Sequence, residues 1–296
     1  MIFFLKILIA SILLFTSLYF INERLSTDFI KIFNYDFYIL VFCLLLTNQI
    51  ILSLRWYILS KSLNQKIKFL QSINFSFKFT SFANISFSGG SEIFRFLNLR
   101  TSRLKFRQMI ILILTEKFFS LISILIVISI GVYFNFENEK LKILFVIIII
   151  FLLIFFCFIK LSYLPYINYL NYEFSFLLKK ITNNYYHIIF IIIFSVITQF
   201  LSIYLYYLFF IQFTEIDINV LFLLIPITNL LISLSFFTFN GIGVREILLV
   251  NFSSFLILPS KLLFNIAINA SFVITIYMLF SFLISNFLIR PKIRLK

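Results

Sequence analysis

Residues 220–250 read VLFLLIPITNLLISLSFFTFNGIGVREILLV. An apolar run at about 219–239 is long enough to cross ~30 Å of hydrocarbon as a helix. It is then cut by Asn240-Gly241-Ile242-Gly243-Val244-Arg245-Glu246 before apolar sequence resumes. Lipid offers no water to a backbone N–H or C=O freed by such a cut, so a broken helix persists only against protein or a wet cavity. Gly241 and Gly243 permit the unusual dihedrals a break needs. The helix that restarts would offer unpaired N–H groups and a positive dipole end to an anion, with phosphate the natural guest. The next apolar run, at about 247–258, is too short to cross the bilayer and reads as a half-helix packed behind the break.

A second break lies in the first half of the chain, at Gly89-Gly90-Ser91-Glu92-Ile93-Phe94-Arg95. Paired interruptions in two halves point to a transporter's binding site. The repeat is weak, because Glu precedes Arg in one copy and follows it in the other. Further apolar runs lie at about 2–21, 37–59, 69–87, 108–133, 143–161, 188–212 and 264–289. The first begins with Lys6 like a signal peptide but lacks a convincing small-residue cleavage site, so it reads as a membrane helix. Gln71, Asn74, Lys78, Ser81 and Asn84 interrupt the run at 69–87, which favours a re-entrant or protein-covered segment. The sequence thus predicts an all-α polytopic membrane protein with about seven or eight transmembrane helices plus re-entrant or broken half-helices. A single integral membrane domain, 1–296, would comprise halves at about 1–135 and 143–290.

Composition supports that class: 62% of residues are hydrophobic and 12% charged. A net charge of +14 raises the question of nucleic acid, but no soluble domain is left to present a basic face. Membrane orientation explains the charge better. With the N-terminus inside, 19 of the 25 Lys and Arg residues fall in inner segments and five in outer loops, with Lys117 within a span. Glu23, Asp28, Asp36, Glu137, Glu139, Glu215 and Asp217 fall outside. Basic residues stay cytoplasmic, so both termini and both breaks are expected on the cytoplasmic side of a bacterial inner membrane. Cys43 and Cys157 sit within apolar runs and read as small hydrophobes, and His187 has no partner suited to acid–base or metal chemistry. No catalytic residue, metal site or cofactor is expected.

The charges inside the apolar regions carry the chemistry. Glu116 falls about 12 Å into the run that starts near 108. A buried carboxylate there needs a partner or a wet cavity. Arg95, Arg245 and Lys117 are the candidate partners, and two readings stay open: a structural ion pair between helices, or a cavity wall that orients an arginine or a headgroup. Glu92 and Arg95, three apart, share a helix face. Arg245 and Glu246 are adjacent and should point in different directions. Arginine grips phosphate oxygens in a fork that lysine cannot reproduce, which makes Arg95 and Arg245 the preferred phosphate ligands unless they simply pair with Glu. Arg55, beside Trp56 and Tyr57 at the end of its run, suits the headgroup level. Arg100, Arg103 and Arg107 suit an interfacial helix on an anionic leaflet. Thr198, Gln199, Ser202, Thr228, Asn229, Asn265 and Asn269 read mostly as interhelical hydrogen-bonding points.

At these residues the chain resembles the transmembrane, flippase-like family named after lysylphosphatidylglycerol synthase. Gly241-Ile242-Gly243-Val244-Arg245-Glu246 reproduces a family element in full. Glu92 and Arg95 keep the spacing of an earlier element, with Ser91 in place of its second glycine and no proline before it. Glu116-Lys117 echoes a family acidic–basic pair, and Leu54-Arg55-Trp56 the end of its second helix. The resemblance covers about residues 10–285. It implies translocation of a lipid with a polar headgroup, with Gly89, Gly90, Glu92, Arg95, Glu116, Gly241, Gly243, Arg245 and Glu246 as the substrate-binding set. The namesake's soluble aminoacyl-transferring domain has no counterpart in the few residues after the last run, so lysylphosphatidylglycerol synthesis is not expected.

The leading expectation is therefore a flippase-like protein that binds or moves an anionic phospholipid or polyprenyl-phosphate-linked lipid. No Gly-x-x-x-x-Gly-Lys-Ser/Thr loop is present to bind ATP. The alternatives are a membrane-embedded enzyme, or an accessory subunit partnered with an enzyme of lipid or glycolipid modification.

Overall fold

A computed structural model describes residues 34–62, 68–85, 106–135, 185–234 and 243–288. Among them every element is a helix: α1 (Tyr35–Ser62), α2 (Phe69–Ile85), α3 (Phe106–Asn135), α4 (Tyr185–Ile211), α5 (Ile218–Leu234), α6 (Val244–Asn251), α7 (Ser253–Leu256) and α8 (Ser260–Leu288). Four helices contain stretches long and apolar enough to cross a bilayer: Tyr35–Lys61, Thr115–Asn135, Tyr186–Ile211 and Ser260–Ser281, at mean hydropathies of 2.2, 2.2, 2.5 and 1.9. The protein is an all-α polytopic membrane protein. The runs at 2–21 and 143–161 and the first glycine break lie outside the described residues.

Polarity is distributed as a lipid environment demands. Ile39, Leu40, Phe190, Ile193, Leu279 and Leu283 are exposed, while Gln49, Ser53, Arg55, Ser72, Glu116, Ser195, Arg245, Glu246 and Ser271 are buried. Apolar side chains lose nothing by facing hydrocarbon, whereas each polar group must find its partner inside the bundle. The largest apolar cluster joins α1, α4, α5, α6 and α8 through Phe37, Phe209, Phe210, Leu224, Leu249 and Ala267. A smaller one gathers Trp56, Leu59, Phe119 and Ile191.

Helix α3 packs closely on α5. A Cβ placed on Gly131 would lie 2.6 Å from the Phe222 carbonyl carbon and 2.8 Å from its oxygen. Pro226, inside α5, has no N–H to give the Phe222 carbonyl four residues earlier. The bare Cα of Gly131 lets the second backbone approach that carbonyl, the close contact that small residues permit between membrane helices. Asn135 fastens the same crossing, its Nδ2 donating to the carbonyls of Gly131 and Asn219, each at 2.7 Å.

Helix α6, of eight residues, is about 12 Å long and cannot cross the bilayer. It passes through Phe252 into the single turn of α7, and left-handed Ile257 (φ 54) then reverses the chain toward α8. The half-helix expected at 247–258 is present, but begins earlier, at Val244. It packs back along α8 and against α5.

Candidate functional site: a polar cavity at the broken helix

Gly243 holds φ 88, a left-handed conformation in which a Cβ is strained, and α6 starts from it. Its N–H donates to Glu246 Oε2 at 2.5 Å. Glu246 thus reaches back over the start of its own helix, putting a carboxylate where an anionic ligand was expected to meet the dipole end. That changes which group is left for a ligand. One freed N–H is already satisfied, and the negative charge of Glu246 opposes a second anion at the same spot. Arg245 becomes the group that can attract one.

Arg245 and Glu246 do not point apart as adjacency suggested. Arg245 Nη1 donates to Ser271 Oγ at 2.8 Å, and the Ser271 hydroxyl donates to Glu246 Oε1 at 2.6 Å. Two neighbours on α6 therefore converge on one hydroxyl of α8. Ser271 lies eleven residues after Ser260, so the node sits about 16 Å along α8, midway through its apolar stretch Ser260–Ser281. Arg245 is 6% exposed and Glu246 fully buried, which the burial cost of a charge permits only with such partners. Arg245 also interacts with the Tyr206 hydroxyl of α4.

Arg245 lines a cavity of about 220 Å3, room for roughly seven waters at about 30 Å3 each. The polar part of its wall comes from five other helices or faces: Asn48 and Gln49 of α1, Thr80 of α2, Ser202 and Tyr206 of α4, Asn229 of α5 and Tyr277 of α8. Apolar residues such as Leu45, Leu52, Leu205 and Ile274 complete it. Arg245 is the one charged residue among the described residues that line it. Thr80 donates to Gln49 Oε1 at 2.7 Å, which braces α2 against α1 at the cavity edge.

Glu116 stands apart from this cavity, and its partner is none of the three candidates. Arg55 Nη2 donates to Glu116 Oε1 at 2.6 Å, while Arg55 Nη1 donates to Ser120 Oγ at 3.0 Å and Ser195 Oγ at 3.1 Å. The guanidinium thereby joins α1, α3 and α4. Arg55 does not face the headgroups as a free anchor: it is only 5% exposed and turned into the bundle, and α1 runs on for seven residues to Ser62. Lys117, next along α3, is exposed on another face of the helix. Arg55 and Arg245, both counted as inner charges, are buried in the bundle, so neither reports on sidedness.

Of the expected site residues, Gly243, Arg245 and Glu246 are brought together and Glu116 is held elsewhere. Gly89, Gly90, Glu92, Arg95 and Gly241 lie outside the described residues. Ser202 and Asn229 face the cavity, whereas Thr198 and Thr228 satisfy carbonyls of their own helices, at Ser195 and Ile225. Asn48, Gln49, Tyr206 and Ser271 had no signal in the sequence beyond being polar residues in apolar runs.

The family model for the lysylphosphatidylglycerol synthase TM region matches residues 3–283. The chain belongs to this family. No curated protein and no solved structure matches it. Membership in the lysylphosphatidylglycerol synthase TM region family makes the chain a membrane protein related to lipid modification or transport. The break that carries the family's Gly-Ile-Gly-Val-Arg-Glu element is the one whose arginine borders the cavity.

Proposed function

We propose that this protein binds the anionic headgroup of a membrane lipid in the Arg245 cavity and passes that lipid between leaflets while the acyl or prenyl tails stay in hydrocarbon. The observation that carries this reading is a guanidinium on the wall of a polar cavity, bonded midway along the apolar stretch of α8 and beside a half-helix. A charge buried among apolar spans is costly and marks a pathway for polar cargo more often than it marks packing. Interrupted helices at the midplane are a recurrent basis for substrate sites in transporters. The family supports the lipid as cargo. In this reading both termini face the cytoplasm of a bacterial inner membrane, and Glu246 and Ser271 orient Arg245. Glu92, Arg95 and Glu116 are proposed as further elements of the path.

The test is leaflet exchange in liposomes that hold the purified full chain and acyl-labelled phosphatidylglycerol. Wild-type protein should accelerate exchange over empty liposomes, and Arg245→Ala should return it to background while the variant keeps its detergent melting temperature. Wild-type protein that binds the lipid but moves none would instead favour a non-transporting subunit of a lipid- or glycolipid-modifying system.

A further inference from the structure

We propose that Gln49 of α1 is a second ligand of the anion this cavity holds, its Nε2–H donating to a phosphate oxygen attracted by Arg245. The inference rests on the reading of the cavity as a headgroup site, and it follows from what Arg245 lacks. Part of the guanidinium is already engaged, by the Ser271 hydroxyl at 2.8 Å and by Tyr206. Glu246 stands one hydroxyl away, through the 2.6 Å bond that Ser271 donates to its Oε1, and it acts on Tyr206 as well. A carboxylate so close lowers the positive potential that an arriving anion meets. Arg245 alone is therefore a weakened anion ligand. A neutral donor elsewhere on the wall strengthens the site without burying a further charge.

Gln49 is that donor. It lines the same cavity as Arg245, is 3% exposed, and its Nε2 has no hydrogen-bond partner among the described residues. Its other end is held, since Thr80 of α2 donates to Oε1 at 2.7 Å. The Thr80 hydroxyl also lies 3.0 Å from the Ser76 carbonyl. It can thus serve either end of the amide, donating to Oε1 or, with its proton on Ser76, accepting from Nε2. Only the first arrangement leaves Nε2 for a ligand, and an anion selects it by attracting the N–H end of the amide and repelling the carbonyl. A buried donor left unmet is costly, whereas a hydrogen bond to a charged oxygen is among the stronger ones. The brace from α2 holds the side chain in place beforehand, so little rotamer freedom is lost when the anion arrives.

Phosphate oxygens are what this pair recognises, and either a lipid headgroup or free phosphate could bring them. The experiment measures binding of dioctanoyl-phosphatidylglycerol and of inorganic phosphate to the purified full chain, for wild type, Gln49→Leu, Gln49→Glu and Arg245→Ala. Mildly alkaline pH keeps a carboxylate ionised. Gln49→Leu removes both the donor and the brace, whereas Gln49→Glu keeps an acceptor for Thr80 and puts a negative oxygen where the donor was. A ligand role predicts lipid affinity about tenfold or more below wild type in Gln49→Leu, the effect of one lost hydrogen bond to a charged group, and lower still in Gln49→Glu. A brace alone predicts another order, with Gln49→Glu like wild type and only Gln49→Leu impaired. That order, or wild-type affinity in both variants, would overturn the assignment, while a loss in Arg245→Ala would leave the headgroup site standing. Undiminished binding by folded Arg245→Ala would overturn the headgroup reading itself. The lipid should bind more tightly than inorganic phosphate; phosphate binding equally tightly would overturn the lipid as the source of the anion.

Discussion

Arg55 and Glu116 meet at 2.6 Å inside the bundle although 61 residues separate them in the chain. The pair locks α1 to α3, Ser120 of α3 adds to it, and Ser195 on the same guanidinium extends the lock to α4. At an exposed site such a pair would contribute about 0–1 kcal/mol. Buried, the loss of one member strands a charge, and the penalty rises to about 3–5 kcal/mol.

Arg55→Met and Glu116→Met should therefore each lower the detergent melting temperature clearly, while the two combined should recover part of the loss. A double-mutant cycle on thermal unfolding checks this. Losses that simply add would mean the two residues act independently.

The Ser271 hydroxyl links Arg245 to Glu246, accepting from one and donating to the other. Ser271→Ala should cost about 1–3 kcal/mol of stability and reduce lipid exchange more than stability alone explains, because the guanidinium loses its fixed orientation. Ser271→Thr keeps the hydroxyl and should restore part of the exchange. Liposome exchange rates compared at matched melting margins separate the two effects.

Gly131→Ala should weaken the α3–α5 crossing, since a methyl would meet the Phe222 and Leu223 backbone at 2.6–2.8 Å. Backbone cannot move aside as a side chain does, so a loss of about 1–3 kcal/mol is expected. Ser129→Ala, on the same helix, should cost far less. Thermal unfolding of both variants is the measurement.

Gly243→Ala should cost about 1–2 kcal/mol through the positive φ alone. The substitution should also disturb the Glu246 reach-back that starts α6. Hydrogen exchange at the amides of residues 244–251 should rise in the variant and stay unchanged in α4.

The helical framework was legible because a membrane span is written in one dimension: twenty apolar residues suffice, and the runs at 37–59, 108–133, 188–212 and 264–289 each lie within or nearly coincide with a helix. The half-helix was legible for the same reason, being too short to span. The partners of Arg55 were missed because an arginine beside Trp56 near the end of an apolar run looks like a headgroup anchor, and nothing local shows that Glu116 and Ser195 enclose it. The cavity wall was largely illegible. Ser202 and Asn229 looked the same as Thr198 and Thr228, which only bond their own helices, because facing a cavity depends on which helices meet. Convergence of Arg245 and Glu246 on Ser271 was hidden for that reason too, since it needs α8 beside α6.

The most direct measurement is the affinity of the purified full chain for short-chain dioctanoyl-phosphatidylglycerol, compared among wild type, Arg245→Ala and Arg245→Lys. A phosphate held by the guanidinium in the cavity should give saturable binding by wild type, at least about tenfold weaker binding by Arg245→Ala, and only partial recovery by lysine, which lacks the fork. Equal affinity for wild type and a folded Arg245→Ala would place the lipid elsewhere and contradict the headgroup site.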